Sequence, residues 1–122
     1  MPASRPCPCS SGNPYAECCG PFHAGTATPP TAERLMRSRY AAFVIGDIAY
    51  LLASWHSSTR PATLELERDT RWIALEILSR TGGGMLHATA TVEFVATWRG
   101  GSHRENSRFS REGGRWVYVE PV

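Results

Sequence analysis

Apolar residues recur along this chain with two periods, one after the other. Leu35, Met36, Tyr40, Phe43 and Val44 form a stripe at helical spacing. Thr31 precedes it as an N-cap, Glu33 in the first turn favours the helix dipole, and Gly46 follows where a C-terminal cap belongs. Asp47 is placed to cap a second helix, in which Ile48, Leu51, Leu52 and Trp55 make an amphipathic face. Pro61 breaks the pattern, and Thr63 to Asp69 predicts one more short helix. After Trp72 the period falls to two. Ile73, Leu75 and Ile77 alternate, and Gly82, Gly83 and Gly84 make a turn. Leu86, Ala88, Ala90, Val92, Phe94, Ala96 and Trp98 then line one face of a strand, with His87, Thr89, Thr91, Glu93 and Thr97 on the other. Gly100 and Gly101 turn the chain into a polar strand from His103 to Ser110. Gly113 and Gly114 signal a hairpin, and Arg115 to Val119 closes the set.

Helices followed by a four-stranded antiparallel meander define an α+β fold. The chain divides at Ala24 to Pro30, where Gly25, Pro29 and Pro30 sit among Thr and Ala without periodicity. Residues 1–30 therefore read as a small appendage with its linker, and residues 31–122 as the main domain. A chain of 122 residues can close one core without staples. No apolar run approaches the length of a membrane span. The net charge of +2 is too small for a nucleic-acid footprint. Every basic residue is arginine, so anion contacts on this surface are of the bidentate guanidinium kind.

The densest chemistry lies in the appendage. Cys7, Cys9, Cys18 and Cys19 are its four cysteines, and none follows them. Two close pairs flank the turn-forming run Ser10, Ser11, Gly12, Asn13 and Pro14, which folds one pair back on the other. Four soft ligands so placed suit a divalent ion. A disulfide framework is the weaker reading. No apolar signal precedes Cys7, which points to the reducing cytoplasm, and clustered cysteines there bind metal more often than they pair. Zinc and iron both accept such thiolates. His23 competes with Cys19 for the fourth position, since adjacent cysteines crowd a single ion.

The run from Cys7 to Gly20 resembles the SEC-C motif, a small zinc-binding element found on many bacterial proteins. Leu35 to Phe43, Tyr50-Leu51 with Trp55-His56, Arg71-Trp72, Ser107-Arg108-Phe109 and Gly114 to Tyr118 are similar to the YchJ-like family. The resemblance covers nearly the whole chain. It implies a nuclear transport factor 2-like (cystatin-like) α+β cone of N-terminal helices on a curved sheet, behind a zinc-binding motif, and no assigned biochemical activity. It also implies Cys7, Cys9, Cys18 and Cys19 as ligands, with Cys19 matching the motif position. Two departures stand out. Ser10 replaces a usual glycine and must adopt the backbone angle of that turn. Asn13, Pro14, Ala16 and Glu17 stand where the motif often carries lysines, which argues against nucleic acid. A protein partner could still meet Tyr15, Phe22 and Arg5.

Cones of this type often enclose a pocket. Candidate pocket residues are Arg39, His56, Glu93, Glu105 and Arg108. His103, Glu105 and Ser107 alternate and share a strand face. The plainer reading makes that face the solvated side of an edge strand, and places Arg37 and Arg39 on a solvated helix face. His56 has an equally plain reading, as a cation at a helix C-terminus. Two functions follow. The first, favoured by the residues alone, is a metal-bearing adaptor for a protein partner. The second is a small-ligand-binding protein or enzyme with its site in the cone, where a closed thiolate set leaves no open position for catalysis at the metal. A polar face buried in a cavity would favour the second.

Overall fold

A computed structural model describes residues 4–67 and 69–122. A 3-10 turn at Tyr15–Glu17 and a short helix α1 at Gly20–Ala24 follow the first cysteines. Helix α2 spans Ala32–Ile45 and α3 spans Ile48–Ala53. Thr31 caps α2 by accepting from the Arg34 N–H at 3.2 Å, and Gly46 ends it in the left-handed conformation at φ 79°. Asp47 then caps α3 by accepting from the Tyr50 N–H at 3.0 Å. The strands are β1 Trp72–Gly82, β2 Thr89–Trp98, β3 Gly101–Glu112 and β4 Arg115–Pro121. They form an antiparallel meander in the order β1-β2-β3-β4, so β3 is an interior strand.

The core lies between the sheet and α2. Leu35, Met36 and Tyr40 of α2 meet Leu75 of β1, Ala90, Val92, Phe94 and Ala96 of β2, Phe109 of β3 and Trp116 of β4. Each β2 core residue faces a β3 residue across the ladder: Ala90 opposite Phe109, Val92 opposite Ser107, Phe94 opposite Glu105, Ala96 opposite His103. Opposed residues share a face. The polar trio of β3 therefore continues the core face.

Several sequence expectations need correction. Residues 63–67 carry no regular structure, and Arg68 lies outside the described residues. α3 stops at Ala53, so Trp55 leaves the helical stripe and bridges in parallel to Tyr118 instead. Of the α3 stripe only Leu51 is fully buried. In β1 a register shift between Trp72 and Ala74 makes Ile73 the extra residue, and it is 63% exposed. A bulge of this kind turns a side chain that alternation would bury. β2 begins only at Thr89, and Leu86 is fully out in solvent. The reading of His103, Glu105 and Ser107 as the solvated face of an edge strand holds only in part: β4 pairs with β3 from Ser107 onward, which buries Ser107, while His103 and Glu105 lie on the stretch that β4 leaves uncovered, where His103 is exposed.

Candidate functional site

Two clusters of chemistry stand out, and α2 touches both. The first is the cysteine knuckle. The Cys7 N–H donates to the Asn13 carbonyl at 2.8 Å and the Tyr15 N–H to the Arg5 carbonyl at 2.8 Å, which closes the turn between the cysteine pairs. Ser10 makes that turn at φ 69°, the one non-glycine residue with positive φ among the described residues. The four Sγ atoms all lie within 4.8 Å of one another and all four cysteines are buried. Cys9 and Cys18 sulfurs are 3.5 Å apart, and those of Cys18 and Cys19 3.9 Å. A tetrahedron with metal–sulfur bonds of about 2.3 Å has edges of about 3.8 Å. The cluster fits a divalent ion in both spacing and softness.

The sulfurs act strongly on one another. Hydrogen bonding from Cys19, then Cys7, drives the Cys9 thiol far down, and its counterpart from Cys7 and Cys9 drives Cys19 far up. His23 stands apart. Its Nδ1 is 2.6 Å from the Tyr15 hydroxyl and its Nε2 donates to the Ser38 carbonyl at 2.8 Å. With the Nε2 proton on a carbonyl, Nδ1 accepts from Tyr15. Both ring nitrogens are engaged away from the sulfurs, and their role is to seat α1 on α2.

Two more bonds fasten the knuckle. Arg37 donates from Nη1 to the Cys9 carbonyl at 2.9 Å while its Nε pairs with Glu33 at 3.1 Å. Ser10 Oγ accepts from the Leu75 N–H of β1 at 3.1 Å. Arg37 is thus an anchor and not a solvated cation.

The second cluster lines a cavity of about 230 Å³ at one end of the sheet. Tyr40, Phe43, Trp55, Trp72 and Phe94 supply aromatic walls, with Arg39, His103, Glu105, Ser107 and Tyr118 as the polar groups. Arg39 is 3% exposed, against the expectation of a solvated face. Its Nη1 donates to the Leu51 carbonyl at 2.8 Å and to Ser54 Oγ at 2.6 Å. Its guanidinium carbon lies 5.0 Å from the Trp55 ring centre and 4.8 Å from that of Tyr118. Burial lowers its pKa to about 10, which leaves it a cation at neutral pH.

Glu105 is held by three groups. Ser107 Oγ donates to it at 2.6 Å, Tyr118 Oη at 3.3 Å, and His103 Nε2 lies 3.2 Å away. Burial, then the charge of Glu105, raises the Tyr118 pKa, so the phenol stays a donor. Arg39, Ser54 and Ser107 are three of the four buried polar side chains among the described residues. Of these, Arg39 and Ser107 line the cavity, and Ser54 bonds Arg39.

The other three proposed pocket residues lie elsewhere. His56 turns to Ser58, whose N–H donates to Nδ1 at 3.0 Å, and its Nε2 is 3.6 Å from Glu112. Glu93 belongs to the opposite sheet face, where Arg104 Nε and Nη2 each donate to it at 3.1 Å. Arg108 is exposed and 3.8 Å from Glu120. Strand alternation excludes Arg108 on β3 and Glu93 on β2; nothing local marks His56. Trp55 and Tyr118 were missed as cavity residues because only the α3-to-β4 bridge brings them together.

A thiolate knuckle joined to an α+β cone with a mouth cavity defines the class: a SEC-C motif ahead of a nuclear transport factor 2-like domain. The SEC-C motif model matches residues 5–21, and the model described as "YchJ, middle NTF2-like domain" matches residues 31–121. The chain belongs to the YchJ family. A UPF0225 protein of Streptomyces coelicolor is 56% identical over 115 residues, covering 94% of this chain and 93% of that one. Another, of Cupriavidus metallidurans, is 50% identical over 125 residues, with 94% and 86% covered. The solution structure of a SEC-C motif containing protein from Rhodopseudomonas palustris superposes with TM-score 0.80 at 34% identity, over 97% of this chain and 98% of that one. A crystal structure of a SEC-C motif containing protein from Psychrobacter arcticus gives 0.82 at 27%, over 98% and 83%. No helix among the described residues is long and apolar enough to cross a membrane.

Proposed function

We propose that this protein binds a small molecule in the cavity of its cone, and that the cysteine knuckle holds one structural zinc ion which braces α2 and β1. The observation that carries the reading is Arg39: a buried guanidinium in cation–π contact with two rings, lining an aromatic cavity without a carboxylate in ion-pair contact. A desolvated charge is costly unless paired, and such a group in a cleft marks a binding site. Four buried thiolates leave a tetrahedral ion no open position, which suits a structural role.

The surface offered for a protein partner is smaller than the sequence implies. Phe22 is 6% exposed under the Arg34 guanidinium, and Tyr15 is half-buried against His23. This favours the ligand reading over the adaptor. The test is a thermal-shift screen of small metabolites on the full chain, beside elemental analysis of protein purified without added metal. A ligand at a hundred times its Kd adds about 2.7 kcal/mol of stability. We expect one zinc per chain and at least one hit that Ala96→Leu, which fills the cavity, abolishes. A blank screen with a protein partner captured through residues 1–30 would reverse the choice.

A further inference from the structure

Arg39 has five N–H donors, and the protein uses only one end of the fork. Nη1 is occupied by Leu51 and Ser54. Among the described residues the Nε–Nη2 edge has no hydrogen-bond acceptor, and none of the ion pairs includes Arg39. That edge is the one that grips a carboxylate with two parallel bonds. Trp55 and Tyr118 both lie in cation–π contact with the guanidinium. The nearest cavity carboxylate, Glu105, is already committed to Ser107, Tyr118 and His103.

Beyond this polar end the walls are rings. Tyr40 and Phe43 stand 5.6 Å and 6.4 Å from Trp72, both at steep angles to it. They give that part of the cavity an aromatic, apolar lining. The cavity, of about 230 Å³, has room for a small ring or its equivalent.

We infer that the cavity takes a small monocarboxylate with an apolar body, its carboxylate on the Nε–Nη2 edge of Arg39 and its body among Tyr40, Phe43 and Trp72. The inference rests on the ligand-binding reading and adds the chemical class. A guanidinium edge left without a protein acceptor makes such a site select for the group that pairs it. The neutral amide of the same shape can satisfy one donor but cannot offer two charged acceptors to the fork.

The experiment titrates the full-length, metal-loaded protein with benzoate, benzamide and inorganic phosphate, following the tryptophan indole signals in amide spectra. Benzoate is expected to shift the Trp55 and Trp72 indoles saturably, at least about ten-fold more tightly than benzamide. Phosphate, which lacks the apolar body, is expected to leave both unshifted. Arg39→Gln should level benzoate with benzamide. Should that variant not fold, Ala96→Leu decides, because it fills the cavity without touching Arg39 and should abolish benzoate binding. Benzamide matching benzoate in the wild-type cavity would overturn the carboxylate assignment and leave the ligand reading standing. Silence of both indoles to benzoate and benzamide up to millimolar concentration would overturn both. Benzoate binding that survives Ala96→Leu would place the site elsewhere and sink the proposal.

Discussion

Ser10 and Arg39 are residues whose backbone or charge is out of place until their partners are known. Ser10 occupies the left-handed region at φ 69°, which costs an L-residue roughly 1–2 kcal/mol. Its hydroxyl recovers part of this by accepting from the Leu75 N–H of β1. Ser10→Ala keeps the strain and loses the bond, so we expect it to cost about 1 kcal/mol in denaturant melts. Ser10→Gly relieves the strain while losing the same bond, and should fall closer to wild type. At the sulfurs, single Cys→Ser variants at positions 7, 9, 18 and 19 should each lose metal, whereas His23→Ala should retain it, since both its nitrogens bond elsewhere. Elemental analysis separates the two. A His23→Ala protein without metal would return that histidine to the ligand set.

The elements are decided by local rules up to their ends. Thr31, Gly46 and Asp47 cap the helices as their side chains and φ angles dictate. The glycine-rich turns set the hairpins, and the meander leaves β3 between β2 and β4. Strand faces are less local. The shift at Ile73 reverses what alternation predicts, because the edge strand β1 inserts one residue against Trp98 and Thr97. Ile73→Thr should therefore change stability by no more than about 0.5 kcal/mol. Leu75→Ala, two residues on and 5% exposed, should cost about 2–5 kcal/mol by urea titration. Equal costs at the two positions would mean that the strand lacks the bulge.

At the scale of the molecule the knuckle and the cone are distinct apolar clusters joined by polar bonds. The cysteines pack with Ala41 and Tyr15, while the cone core gathers around Phe109 and Trp116. The joints are Arg37 to the Cys9 carbonyl, His23 to the Ser38 carbonyl and Ser10 to Leu75. We expect a strong chelator to disorder residues 7–23 and to shift the amide signals of Arg37, Ser38 and Leu75, with the β2–β3 signals kept. Thiolate ligands must be deprotonated, so metal retention should also fall as pH falls. Loss of the β2–β3 signals together with the knuckle would make the cone depend on the metal for folding.

The order of elements, the two capped helices, the meander and the cysteine cluster were legible because each depends on neighbours within a few residues. A helix cap needs three positions, a hairpin needs its turn, and two cysteine pairs around Ser10 to Pro14 need only that turn to meet. The cavity was legible only in part. Arg39 and Glu105 were nominated and do line it; His56, Glu93 and Arg108 were nominated and do not. What settled this was the pairing of β3 with β2, which puts His103, Glu105 and Ser107 on the core face, Ser107 buried and the other two toward the open end of the cavity. Burial of a charge is a property of everything packed around it. Arg39 reads as a surface residue from its helix and becomes a buried one because α3, Trp55 and Tyr118 close over it. Those contacts join residues far apart in the chain, and no local pattern carries them.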